Sequence, residues 1–438
     1  MILPSKPEPD SPPALRSALA TAASGKAQPH AAARGPLGTN AKSSSPLPAD
    51  DAHIRRNVTR VERYLAQSTA RRWLTADARN QGAKYPGNLH RTCACRYLRH
   101  QPQIHVMHDT HHNAAFYAGL VSCGSVWSCP VCAARIQERR RLEIEQAIAW
   151  AESLGLVCVL VTFTFPHSIA DTLADLIAKQ RDGFKRLRSG KAWMKVKPLG
   201  LIRSLELTYG DNGWHPHTHE LWFCEPDKIP CRVRLTELWY TACLRAGLVD
   251  PSDDAQAGNF NIYAVDVKRD MTCGDYLAKQ DDARSWGFSH EVAKATSKAG
   301  RRKGFHPHHL LVRQNPGDRS RFLEYHAAMK GARQLFWSPG LKAKVGITDV
   351  SDETIAEESR EDADDLAMIP DAAWELVRTK EYRAWLLEAA ETGGAPAVRA
   401  LLASLGYTPG TAGTDAPTPH RTYERRPGGA PGQPGEPL

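Results

Sequence analysis

The chain has 438 residues, a formal net charge of +9 and a pI near 9.0. That length leaves room for two or three domains, and the basic balance favours a polyanionic partner. There is no run of eighteen apolar residues and no apolar h-region at the N-terminus, which argues against a membrane span and against secretion; a cytoplasmic location is expected.

Residues 1–55 are rich in Pro, Ala and Ser without sustained periodicity and read as a disordered tail. Residues 56–150 read as a zinc-knuckle and helical segment. Of ten cysteines, Cys158, Cys224, Cys231, Cys243 and Cys273 are isolated and read as buried small hydrophobes. The others cluster as Cys93-Ala94-Cys95, then Cys123, then Cys129-Pro130-Val131-Cys132. A Cys-Pro-x-Cys turn aims two thiolates at one ion, and clustered thiols in a cytosolic chain favour metal over disulfide. A redox Cys-x-x-Cys is the rival, but it normally follows a strand of a βαβ unit, and nothing upstream reads that way. The expected tetrahedral zinc set is Cys123, Cys129, Cys132 and Cys95, with Cys93 or one of His100, His105, His108, His111 and His112 as the alternative fourth ligand.

Residues 133–148 carry helix formers with apolar residues on one face and predict an amphipathic helix. The apolar, β-branched run 156–165 predicts a buried strand, and a helix follows over about 169–188. Residues 179–197 hold eight Lys/Arg against one acid. Residues 201–224 predict a hairpin, with Gly210-Asp211-Asn212-Gly213 as its turn. Within its second strand, His217 and His219 stand at period two and so share a face. Two imidazoles side by side can hold a divalent ion and leave positions open for a substrate oxygen. Glu206 pairs with His217 if the turn centres on Asp211-Asn212, and with His219 if it centres on Asn212-Gly213. In either register it shares their face and supplies a hard third ligand suited to Mg or Mn. His215 faces the same side, nearer the turn, and reads as a supporting or DNA contact rather than a ligand.

A helix over 233–246 and a strand over 260–267 come next. A helix carrying Asp275-Tyr276-Leu277-Ala278-Lys279 would then place Tyr276 and Lys279 on one face. A histidine pair followed by Tyr-x-x-Lys is what metal-assisted DNA nicking by a tyrosine nucleophile requires, with Tyr263 and Tyr325 as the rival hydroxyls. Residues 286–350 form a basic extension; residues 286–346 hold twelve Lys/Arg against three acids, interleaved with Trp286, Phe288, Phe305, Phe322, Phe336 and Trp337. Phosphate contacts and some base stacking are expected there, most of the rings serving as core. Residues 351–407 read as an acidic linker and a small helical region, and 408–438 as a second disordered tail. The order of elements predicts an α+β fold: an antiparallel sheet with helices on one side.

In three stretches the chain resembles plasmid rolling-circle replication initiators of the HUH endonuclease superfamily. These are Val161-Thr162-Phe163-Thr164-Phe165-Pro166, then Leu205–Gly210 running into Trp214-His215-Pro216-His217-Thr218-His219, then Tyr276-Leu277-Ala278-Lys279. The resemblance spans about residues 90–350, with 151–285 as the nuclease core. Thr218 departs from it, since a bulky apolar residue is usual between the histidines. The resemblance implies an HUH-type sheet with the histidine strand near its centre, and origin DNA as substrate, single-stranded or extruded as a hairpin. It implies attack by Tyr276 assisted by Lys279 to give a 5′-phosphotyrosine and a free 3′-OH primer, with a host helicase and polymerase as partners. Some such initiators carry a glutamate four residues before the tyrosine for termination; here that position is Thr272, and Asp270 or a second strand transfer is expected to take its place. Mobilisation relaxases and transposases share this chemistry, and a non-enzymatic zinc-bearing DNA-binding protein is the remaining rival.

Overall fold

The computed structural model describes residues 49–83, 89–269, 304–357 and 363–408. The fold is α+β, with two antiparallel sheets. Helix α1 (Ala49–Asn80) begins inside the stretch expected to be a disordered tail. Its buried positions (Val61, Tyr64, Ala66, Ala70 and Leu74) recur at helical spacing, and that contact holds a helix whose mean hydropathy is low. Strands β1 (Ile104–Asp109) and β2 (Ala114–Ala118) form a hairpin that the sequence reading missed. Next come α2 (Pro130–Ser153), β3 (Val157–Phe163), α3 (Leu173–Ser189), the short α4 (Lys191–Met194) and the long hairpin β4 (Gly200–Gly210) and β5 (Gly213–Cys224). After α5 (Arg232–Arg245), residues 254–263 are helical (α6, Asp254–Tyr263), and only Val265–Lys268 form the strand β6.

That corrects the strand expected over 260–267. The alternation Phe260, Ile262, Ala264 imitates a strand, but the Asp253 carboxylate accepts a hydrogen bond from Gln256 N (2.9 Å) and starts a helix that leaves Ile262 and Tyr263 exposed. The C-terminal part comprises α7 (His309–Arg313), α8 (Asp318–Ala328), β7 (Leu335–Trp337), α9 (Leu341–Val345), α10 (Asp352–Glu357), β8 (Asp364–Ile369), α11 (Asp371–Thr379) and α12 (Arg383–Ser404). Strand β8, drawn from the stretch read as an acidic linker, pairs with β1 and completes the order β2-β1-β8. Among the described residues no helix is long and apolar enough to cross a membrane.

The larger sheet runs β6-β3-β5-β4-β7, with the histidine strand β5 at its middle. Its two faces are dressed differently. On one, Val159, Val161, Phe163 and Trp222 pack under α3 and α5, where Phe163 meets Phe184 and Trp239 edge-on. On the other, Cys158, Leu160, Ile202, Leu221 and Phe223 pack under Ile144, Ala147, Ile148 and Ala151 of α2 and under Leu341 of α9. Helices therefore lie on both sides rather than one. The second layer covers only the end of the sheet holding Leu221 and Phe223. The end holding His215, His217 and His219 is left half-exposed.

Candidate functional site

The hairpin turn takes Asp211 and Asn212 as its tip, because Gly210 pairs with Gly213. Of the two registers open to the sequence, this selects Glu206 opposite His217, with Ser204 opposite His219 and Thr208 opposite His215. Gly213 has φ +83°, and a Cβ there would lie 2.9 Å from Ile169 Cα, so the turn requires glycine.

Strand alternation puts Glu206, His217 and His219 on the open half of the sheet. Glu206 Oε2 lies 3.1 Å from His217 Nε2 and 3.0 Å from His219 Nε2. Burial opposes ionisation of Glu206, but hydrogen bonds and charge from the two imidazoles outweigh it and hold the carboxyl well below the usual range. One carboxylate and two imidazoles converging on a common point, each atom within 4.8 Å of the others, fit a hard or borderline divalent cation. His219 Nδ1 lies 2.9 Å from Thr162 Oγ1, whereas His217 Nδ1 is buried without a partner among the described residues.

The imidazole row continues past the ligand pair. His215 Nδ1 is 3.2 Å from His167 Nε2, and His215 Nε2 is 3.4 Å from Thr164 Oγ1. Burial and the neighbouring imidazoles push His215 down to about 3, so it is neutral near pH 7. The sequence reading missed Thr162, Thr164 and His167. The signal for the first two was the period-two hydroxyls in an otherwise apolar strand. Thr218 faces the opposite, buried side, where its hydroxyl accepts from Gln180 Nε2 (3.0 Å), so a polar residue between the histidines is satisfied.

The second cluster is Cys95, Cys123, Cys129 and Cys132, all buried. Cys129 caps α2, Pro130 opens it and Cys132 sits in its first turn, so two thiols point off one helix start. Gly124 lets the chain pass Glu353, whose Cα a Cβ would meet at 2.8 Å. Sulfur separations are 3.5 Å (Cys95–Cys132), 3.7 Å (Cys123–Cys132) and 3.7 Å (Cys95–Cys129). A tetrahedron of Zn–S bonds about 2.3 Å long has edges of roughly 3.8 Å, while a disulfide needs about 2.05 Å. The donor set therefore fits tetrahedral zinc. Cys95 rather than Cys93 joins it; His105, His108 and His112 instead contact Asp365, Asn113 and Asp109. Burial pushes Cys123 and Cys129 up, while hydrogen bonds from the other thiols hold Cys132 down. Cys231, expected to be buried, is exposed at the start of α5.

The cysteine cluster leans on the histidine strand through aromatic rings. Trp127 meets Tyr325 edge-on, and Tyr325 stacks on Trp214 at the foot of β5. Tyr325 is fully buried and its hydroxyl is pushed far up by burial, which removes it as a rival nucleophile. Tyr263 is exposed at the end of α6. Of the rings in the basic stretch, Phe322 is core, Phe305, Phe336 and Trp337 are half-buried, and Trp286 and Phe288 lie outside the described residues. Tyr276, Lys279, Asp270, Thr272 and Cys273 also lie outside them. A cleft of about 1460 Å³ between the cysteine segment and β7 is lined by Trp127, Arg140, Lys330, Arg333 and Trp337; Glu206, His217 and His219 take no part in it.

Residues 121–233 match the family model described as a replication protein. The chain is 28% identical over 300 residues to the protein named "Protein rep" of Streptomyces lividans, covering 52% of this chain and 64% of that protein. It is 35% identical over 138 residues to a "Neomycin resistance protein" of Streptomyces cyanogenus, covering 25% of this chain and 31% of that one. The chain thus spans less than two thirds of the length of either relative. No solved structure matches. These matches bear out the resemblance to replication proteins drawn from the motifs, and the matching stretch, residues 121–233, contains Glu206, His217, His219 and three of the four clustered cysteines.

Proposed function

We propose that the chain is a plasmid rolling-circle replication initiator that nicks one strand of origin DNA through an HUH-type site. The observation that carries this reading is a coincidence of two findings: the stretch matching a replication protein is also the stretch in which one carboxylate and two imidazoles converge on an open sheet face. Glu206, His217 and His219 would hold Mg or Mn. Bound there, the cation would polarise the scissile phosphate and stabilise charge on the leaving 3′ oxygen. His217 and His219 present Nε2 and Glu206 supplies the compensating negative charge. The half-exposed surface around them admits a single strand while the opposite face stays packed.

Tyr276 is the nucleophile in this reading. Its oxygen attacks phosphorus, the P–O3′ bond breaks, and the products are a 5′-phosphotyrosine and a 3′-OH that primes synthesis. Free tyrosine has a pKa near 10, so its activation matters, and Lys279 is assigned to lower it or to steady the phosphate. The cysteine cluster holds a structural zinc that fixes the segment buttressing β5. Origin DNA, a host helicase and a host polymerase are the partners, in the cytoplasm. The test is Tyr276→Phe. Loss of the covalent adduct on an origin hairpin, with binding kept, is the expected result; an adduct that survives the change would overturn the assignment.

A further inference from the structure

We propose that Thr162 is a positioning residue for the candidate cation site, fixing the ring orientation and tautomer of His219; the inference rests on reading Glu206, His217 and His219 as that site. An imidazole can offer a lone pair to an ion through one nitrogen only when the other carries the proton, and that N–H then needs an acceptor. Thr162 stands directly opposite His219 across the β3–β5 pair, and its Oγ1 lies 2.9 Å from Nδ1. His219 Nε2, on the far side of the ring, is the atom 3.0 Å from Glu206 Oε2. The ring is therefore held between a hydroxyl and the ligand cluster, with Nδ1–H donating to Thr162 when Nε2 takes an ion.

Composition supports the assignment. Strand β3 reads Val-Cys-Val-Leu-Val-Thr-Phe, and its one hydroxyl sits on the histidine face, in line with the apolar Cys158 and Leu160. Thr164, two residues on, meets the neighbouring His215 at the other ring nitrogen, Nε2, and at 3.4 Å. His217 has no equivalent support: its Nδ1 is buried without a partner among the described residues. The two ligands are thus unequal, and His219 is the one whose geometry is set before an ion arrives.

The test is calorimetric titration of the full-length protein with Mn²⁺ alone. Wild type, Thr162→Val, Thr162→Ser and His219→Ala are compared, with thermal unfolding as the check on folding and Thr162→Ala as a second hydroxyl deletion. Loss of such an outer partner typically costs about 10- to 100-fold in metal affinity. Thr162→Val should bind Mn²⁺ at least about tenfold more weakly with DNA affinity unchanged, and Thr162→Ser should restore most of the loss. Equal affinities in wild type and Thr162→Val, with His219→Ala binding nothing, would overturn the role of Thr162 and leave the cation site standing. Equal weakening in Thr162→Val and Thr162→Ser would overturn it too, since the hydroxyl would not be the cause. If wild type takes up no Mn²⁺, the cation reading itself falls and this inference with it.

Discussion

Glu220 offers a perturbation that separates the two faces of β5. It follows His219 in the chain, so its side chain points to the opposite side and is fully buried. There its carboxylate accepts from the Arg188 guanidinium and from Trp222 Nε1 (2.8 Å), with Arg203 Nε at 4.0 Å. The two cations lie over aromatic rings, Arg203 over Phe336 and Arg188 over Phe184. Burial pulls Arg203 down to about 9, with the Arg188 charge adding to the shift and Glu220 opposing it. Glu220→Gln keeps an acceptor for Trp222 but removes the buried negative charge that faces the Arg188 and Arg203 guanidinium groups. Breaking a buried pair in this way costs about 3–5 kcal/mol, a large part of a typical stability of about 5–15 kcal/mol. Urea unfolding should therefore show a midpoint lower by about 1 M or more. Adding Arg188→Met should recover part of the loss, because it removes one of those cations. Below its own transition the variant should still bind Mn²⁺ like wild type, since the ligands face the other way. A loss under about 1 kcal/mol, or a double variant worse by the sum of the single changes, would refute the reasoning.

Three further outcomes are expected. His217→Ala or His219→Ala should cost nicking by orders of magnitude, Glu206→Ala less, and EDTA should abolish nicking until Mn or Mg is restored; unimpaired nicking in EDTA would dismiss the cation. Cys129→Ser with Cys132→Ser should lower thermal stability and remove about one bound zinc, because structural zinc contributes folding free energy; zinc-free wild-type protein on metal analysis would discard that site. His308 is buried with Nε2 donating to Trp127 O (2.5 Å), and burial lowers it to about 4. Below about pH 6.5 the unfolded chain takes a proton that the folded chain refuses, so this contribution is full at neutral pH and is lost as pH falls from about 6.5 toward 4. It is worth up to about 3 kcal/mol. His308→Gln should therefore flatten the fall in melting temperature between pH 7 and 5, and an unchanged slope would count against it.

The sequence alone determined what depends on local periodicity. Period-two spacing placed His217 and His219 on one face whatever the sheet around them, and a turn within residues 210–213 brought Glu206 to the same face whichever pair formed its tip. The Cys-Pro-x-Cys turn announced its own pair of thiols because both sit at one helix start. Tertiary structure decided what depends on partners far along the chain. Which hairpin register holds was settled by the sheet, and Cys95 rather than Cys93 was selected because its Sγ is the one brought to 3.5 Å from Cys132 and 3.7 Å from Cys129 at the start of α2. The strand β8 was illegible because its partner β1 lies some 260 residues away, and acidic composition hides a strand whose pairing is mostly backbone. Residues 260–263 alternate like a strand yet fold as a helix, since the Asp253 cap and the burial of Phe260 outweigh a short periodic signal. Thr162 showed in the sequence only as one of two hydroxyls at period two in an apolar strand, with nothing to say what it meets. A hydroxyl becomes a support for an imidazole only when a neighbouring strand places that ring across from it, and that pairing belongs to the sheet, not to the segment.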